Sequence, residues 1–267
     1  IDPSLAQSIA GVEKQFSGLQ VGIAAVSTAA IAATSALVGF GAKSVGVAST
    51  FETDFAKTAT LLSGTKDELE AYQQSIINLS NEAGTATGEL TETVYQAISA
   101  GVDQAEAVEF AGQAVKLAEG GFTDAATAVD VMTTALNAYG DQSGLTAESV
   151  SDLLIMTQNL GKTSVGELAA SVGKVIPIAS AYGVEMDNLS SAYAQLTAGG
   201  IATAEAGTYL KAMLNELGDS GSTVSKTLMD MTGMSFAQLT EDGMSLGDVL
   251  AILGISVDND SGKFNEL

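Results

Sequence analysis

Residues 200–218 read GIATAEAGTYLKAMLNELG, and residues 121–140 read GFTDAATAVDVMTTALNAYG. Each run is preceded by a second glycine, so Gly199-Gly200-Ile201 answers Gly120-Gly121-Phe122, and each closes on a lone glycine, Gly218 or Gly140. The echo extends backwards. Gly88-Glu89-Leu90 opens a run with apolar Leu90, Val94, Ala97 and Ile98, and Gly166-Glu167-Leu168 opens another with Leu168, Val172, Val175 and Ile176. Both sets follow the spacing of one helical face. Each run ends in Gly-Val, at Gly101-Val102 and Gly183-Val184. The reading is a duplicated helix-Gly-helix-GlyGly-helix unit, residues 88–140 and 166–218, joined by a helix from Thr146 to Leu160. The first helix of the second copy is four residues longer and holds Pro177, which predicts a kink there. Gly101, Gly120, Gly121, Gly183, Gly199, Gly200 and Gly218 are the expected helix joints, several of them at positive φ.

Helix punctuation is regular from Phe51 onward. Capping boxes are expected at Thr65/Glu68, Asp103/Glu106, Ser164/Glu167 and Ser245/Asp248, where a small polar residue caps the first turn and an acid three residues on reaches back. The pattern predicts about ten helices of roughly 10–20 residues and no strand before the last dozen residues. The expected fold is all-α. A long apolar N-terminal helix in residues 1–50 precedes a globular array of short helices in 51–267, with a small turn or hairpin at the C-terminal end.

Composition excludes several chemistries. Aspartate and glutamate number 32 against ten basic residues, all lysine, for a net charge of −22. Such a surface repels a phosphate backbone, whose binding rests on clustered cations. Cysteine, histidine, tryptophan and arginine are absent. Disulfides, thiolate chemistry, the Ser-His-Asp triad and ordinary zinc-peptidase sites therefore cannot be built from this chain.

The remaining candidate motifs are weak. GFGAKS at 39–44 lacks the glycine before its lysine and the strand that a phosphate-binding loop needs. Asp258 and Asp260 in DNDSGKFNE have calcium-loop spacing, but Gly262 and Glu266 fall early. The carboxylates Asp67/Glu68/Glu70 and Glu89/Glu92 stand at helix starts, where the dipole favours them without any catalytic role. No catalytic residue, metal ligand or cofactor is assigned.

No residue between Lys14 and Lys43 is charged, and 19–42 is long enough to span a membrane. Its content is mostly Ala, Gly, Ser and Thr, which makes lipid transfer marginal and favours burial against other helices. Small residues every three or four positions permit close approach of a like helix. Ile23, Val26, Ile31 and Leu37 are the expected self-association residues.

The stretch from Thr163 to Gly218 carries a resemblance. Its Ala181-Tyr182-Gly183-Val184, its Leu196 through Ile201 and its Glu205-Ala206-Gly207-Thr208-Tyr209-Leu210 followed by Met213-Leu214 resemble the core of tail tape-measure proteins of long-tailed bacteriophages, of the lactococcal-phage type. FETDFAKTATLLSG from Phe51 and GISVDNDSGKFNEL at the end are similar to that region's opening and closing, so the resemblance covers nearly all of 50–267. It implies a virion structural protein, without catalytic residues, that sets tail length and leaves the tube before the DNA. The partners implied are copies of itself around the tail axis and the tail tube and baseplate proteins, with no direct nucleic-acid binding and transient membrane contact at infection. It also implies a location inside the tail tube. The same component of a phage-tail-like bacteriocin, or a membrane-active protein inserting through 19–42, are the alternatives.

Overall fold

The computed structural model describes residues 43–140 and 144–256, with side chains from 51 to 140 and 144 to 254. Every regular element among them is a helix: α1 (Lys43–Ala59), α2 (Lys66–Ala83), α3 (Thr87–Ser99), α4 (Ala107–Gly120), α5 (Ala125–Tyr139), α6 (Ala147–Leu160), α7 (Val165–Val172), α8 (Ile176–Ala181), α9 (Met186–Ala198), α10 (Thr203–Gly218), α11 (Thr223–Thr232), α12 (Phe236–Glu241) and α13 (Leu246–Ser256). These thirteen exceed the roughly ten expected in part because the run at 165–181 divides into α7 and α8. The N-terminal apolar helix and the closing turn, with Asp258 and Asp260, lie outside the described residues. The chain divides into two compact units, one ending at Tyr95 and one beginning at Gln96.

In the first unit α2 starts on a full capping box: the Thr65 N–H donates to Glu68 Oε2 at 2.6 Å and the Glu68 N–H to Thr65 Oγ1 at 3.4 Å. Ile76, Leu90 and Val94 are wholly buried, and the Thr58 hydroxyl donates to the Thr91 carbonyl at 3.4 Å.

In the second unit α4 packs on α5, and α6 lies against both α4 and α9, so the joining helix touches both copies. Helix α7 packs on α5 and α10; α8 packs on α5, α9 and α10. Helices α11, α12 and α13 pack together, the first two also against α10. Leu154 of α6, Leu168 of α7, Ile176 of α8, Leu189 and Tyr193 of α9 and Leu214 of α10 are buried in this core. Each such aliphatic side chain contributes about 1.5–3 kcal/mol by leaving water.

Gly88 and Gly166, the α4 and α9 termini Gly120 and Ala198, and Gly140 and Gly218 are separated by one common interval. The extra turn in the second copy's first helical run is offset by a shorter joint before its middle helix. In the first copy that joint holds the turn at 103–106. Asp103 and Glu106 do not form the expected capping box: Asp103 Oδ1 accepts the Ala105 N–H at 2.8 Å, and α4 begins only after Glu106, which makes no side-chain cap bond. Short-range Asx bonding has won over the helix start. Thr146/Ser149 and Ser235/Gln238 supply two boxes the acid-based pattern overlooks.

At Pro177 the helix breaks rather than kinks. Helix α7 stops at Val172, residues 173–175 turn, and α8 starts afresh with Pro177 in its first turn. Proline has no N–H to give to the carbonyl four residues back, and the first turn is where that loss costs nothing.

Candidate functional site

Among the described residues no cluster of three or more Asp or Glu is placed to hold a metal. The carboxylates flagged in the sequence are helix-start groups. Glu68 closes its capping box, and the Thr65 N–H it accepts holds its carboxyl below the usual range. Glu70 pairs with Lys66 at 3.3 Å. Of GFGAKS only Lys43 and Ser44 are described, and they begin α1. Ile23, Val26, Ile31 and Leu37 lie outside the described residues. No described helix is long and apolar enough to cross a membrane.

The joint glycines fall at helix ends. Gly101 (φ +101) follows α3 and Gly183 (φ +69) follows α8. Behind them the Val102 N–H reaches the Ala97 carbonyl at 3.0 Å and the Val184 N–H the Ala179 carbonyl at 2.9 Å, the same six-to-one closure of a helix end. Gly120 and Gly218 are the last residues of α4 and α10, while Gly121 and Gly199 follow at ordinary φ of −94 and −69. The double glycines are one residue out of step. At the common interval Gly121 corresponds to Gly199 and Phe122 to Gly200, and these latter two carry the left-handed backbone, φ +54 and +98. Phe122, with its ring 86% exposed, therefore occupies a conformation that glycine takes in the other copy.

The joints are also tied from a distance. The amide of Asn137 donates to the Ala100 carbonyl at 3.2 Å, Gln158 to Gly120 at 3.1 Å and Thr240 to Tyr182 at 2.6 Å. The Tyr139 hydroxyl donates to the Val184 carbonyl at 2.8 Å; burial, then the charges of Asp187 and Glu185, push its pKa up. These bonds satisfy carbonyls that helix ends leave open.

One residue of the resemblance, Gly207, stands at a crossing of three helices. Ala206, Leu210 and Leu214 face inward on α10 while Glu205, Thr208 and Tyr209 face out, the last donating to Glu205. Between them Gly207 lets α10 approach α7 and α9: a Cβ there would stand 2.2 Å from Ser171 Oγ and 2.6 Å from the Tyr193 hydroxyl. Ser171 Oγ donates to the Thr203 carbonyl at 3.0 Å, so the bond of 3.0 Å between Ser171 and Tyr193 takes its proton from the tyrosine. Burial raises the Tyr193 pKa to about 12, against the lowering effect of Ser171. Thr203 Oγ1 continues the chain to Thr163 at 2.8 Å. Sequence reading singled out Gly207 within the resemblance but missed Ser171 and Tyr193. A lone serine and tyrosine on helical faces give no local signal of their meeting.

The described residues form short packed helices whose polar groups go to caps and crossings. The chain belongs to the phage-related minor tail protein family, which its residues 73–259 match. It is 34% identical over 242 residues to the "Probable tape measure protein" of Clostridium phage phiCD119, covering 85% of this chain and 26% of that relative. It is 22% identical over 222 residues to the tape measure protein of Pneumococcus phage Dp-1, covering 83% of this chain and 19% of the relative. The chain thus spans about a quarter and a fifth of the lengths of these relatives, and the tape-measure relationship expected from the 163–218 signature holds. No solved structure matches the chain.

Proposed function

We propose that this chain is the compact helical part of a tail tape measure, carried in the virion tail as part of the protein that sets tail length and leaves the tube before DNA delivery. The match of residues 73–259 to the tail family, together with the two tape-measure relatives, carries the reading. In this reading residues 51–267 are the tape-measure core, and 1–50 supply the segment that packs, through Ile23, Val26, Ile31 and Leu37, against copies of itself around the tail axis. Tube and baseplate proteins are its other neighbours, and contact with the host membrane follows release. A net charge of −22 keeps the chain off DNA travelling the same lumen. Short helices broken by glycine joints do not make a rod, so the length-setting part lies elsewhere in the longer protein.

Quantitative peptide analysis of purified virions, before and after ejection is triggered, tests this. Peptides of this chain should be present in intact tails and depleted from emptied tubes. Their absence from intact tails overturns the assignment, and their full retention in emptied tubes overturns release.

A further inference from the structure

An internal duplication gives a chain a pairing problem. The third helices α5 and α10 present corresponding positions, buried Ala128 and Met132 with half-buried Leu136 on one and buried Ala206, Leu210 and Leu214 on the other, at the common interval. Each could take the other's seat, in the same chain or in a second copy during assembly. Three corresponding positions differ sharply between the copies. Where the second has Ser171, Tyr193 and Gly207, the first has Thr93, Val115 and Val129. All of those with a side chain are buried: Tyr193 is 0% exposed, Val115 and Val129 3%. The hydroxyls differ as well. Ser171 reaches across to α10 at Thr203, whereas Thr93 bonds the Glu89 carbonyl of its own helix at 2.8 Å. Thr85 Oγ1, at the position of Thr163, is buried without a hydrogen bond, and Ala125 stands where Thr203 stands.

We propose that Ser171, Tyr193 and Gly207 form a pairing key that seats α10 and refuses α5, both within one chain and between copies of it. With α5 in that seat, Val129 replaces Gly207. Its Cβ would fall on Ser171 Oγ and the Tyr193 hydroxyl, at the 2.2 Å and 2.6 Å that real Cβ atoms do not reach. Ala125 in place of Thr203 would also leave the Thr163 hydroxyl without the donor it meets at 2.8 Å. The reverse exchange puts a glycine where Val129 is buried and leaves a void of valine size. Specificity thus comes from a clash on one side and a cavity on the other.

The test uses the full chain, refolded from denaturant over a range of concentrations, with thermal unfolding and light-scattering mass as readouts. Gly207→Ala should lower Tm by at least about 5 °C. In a Ser171→Ala/Tyr193→Phe background, which removes the two oxygens, the same change should cost less than about half of that shift. Equal cost in both backgrounds refutes the contact as the source. The triple variant Ser171→Thr/Tyr193→Val/Gly207→Val gives the second copy the first copy's residues at these three positions. It should refold with at least about tenfold more dimer and larger species than the parent, increasing with concentration. Should it refold with the parent's mass distribution and a single transition, the key does not govern pairing; should it fail to fold at all, the milder cycle still decides.

Discussion

The joint between the second and third helices is built twice in this chain, and the two versions divide the same requirements differently. In the second copy Gly199 and Gly200 close α9, with the left-handed φ of +98 falling on glycine and nothing near its missing Cβ. In the first copy the glycine one step earlier, Gly121, is held against another helix: a Cβ there would lie 2.5 Å from Val165 Cβ and 2.7 Å from the Leu117 carbonyl oxygen. The left-handed residue is then Phe122. One glycine pair serves close packing, the other backbone freedom. A repeated dipeptide therefore does not carry a repeated physical role.

The comparison breaks first at Gly121. Gly121→Ala should cost about 2–3 kcal/mol in urea denaturation, because both Val165 and a backbone carbonyl stand in the way. Its counterpart Gly199→Ala, at φ −69 with only its own helix's carbonyls beyond 3.3 Å or at it, should change stability by less than about 0.5 kcal/mol. Equal losses at the two sites would mean the joints are packed alike.

Tyr193, whose counterpart is Val115, separates the copies by pH. Its folded pKa of about 12 lies above the unfolded tyrosine value of about 10. The stability it contributes is therefore complete below pH about 10 and is lost as pH rises through about 12. Tyr193→Phe should cost roughly 1 kcal/mol at neutral pH and make the alkaline decline shallower, with Tyr139 and Tyr209, both also raised, contributing to the remainder. An unchanged alkaline slope would remove Tyr193 from that account.

Smaller effects sharpen the match at the helix starts. Ser164 caps α7 in a box with Glu167; the equivalent positions opening α3 are Ala86 and Glu89, with the Ala86 carbonyl already accepting the Leu90 N–H at 3.1 Å. Ser164→Ala should destabilise by about 1 kcal/mol, and Ala86→Ser should gain about 0.5 kcal/mol by completing the missing box. Thermal melts of both variants check the pair, and a loss on Ala86→Ser would show that the two helix starts differ in backbone. Last, Phe122→Gly should stabilise by about 0.5 kcal/mol, since an 86% exposed ring gives up little burial and the left-handed backbone suits glycine. Gly200→Ala should lose about 1 kcal/mol for the mirrored reason. The same sign at both positions would contradict the correspondence between them.

Local chemistry determined much of this protein from sequence alone. The helix class, the helix from Ala147 to Leu160 and the caps at Thr65, Ser164 and Ser245 are properties of side chains acting within a turn or two of their own backbone. Gly101-Val102 and Gly183-Val184 close helices through bonds five residues back, so they too are legible locally. Tertiary structure decided the rest. That Gly121 must be glycine follows from Val165, a residue far along the chain, standing where its Cβ would be. That Gly207 makes room for the hydroxyls of Ser171 and Tyr193 depends on three helices crossing at one point. The break at Pro177 was foreseeable as a disturbance, but whether the chain kinked or restarted depended on Val172, Val175 and Ile176 all finding places in the core. Periodicity tells which face of a helix turns inward; only packing tells what that face meets.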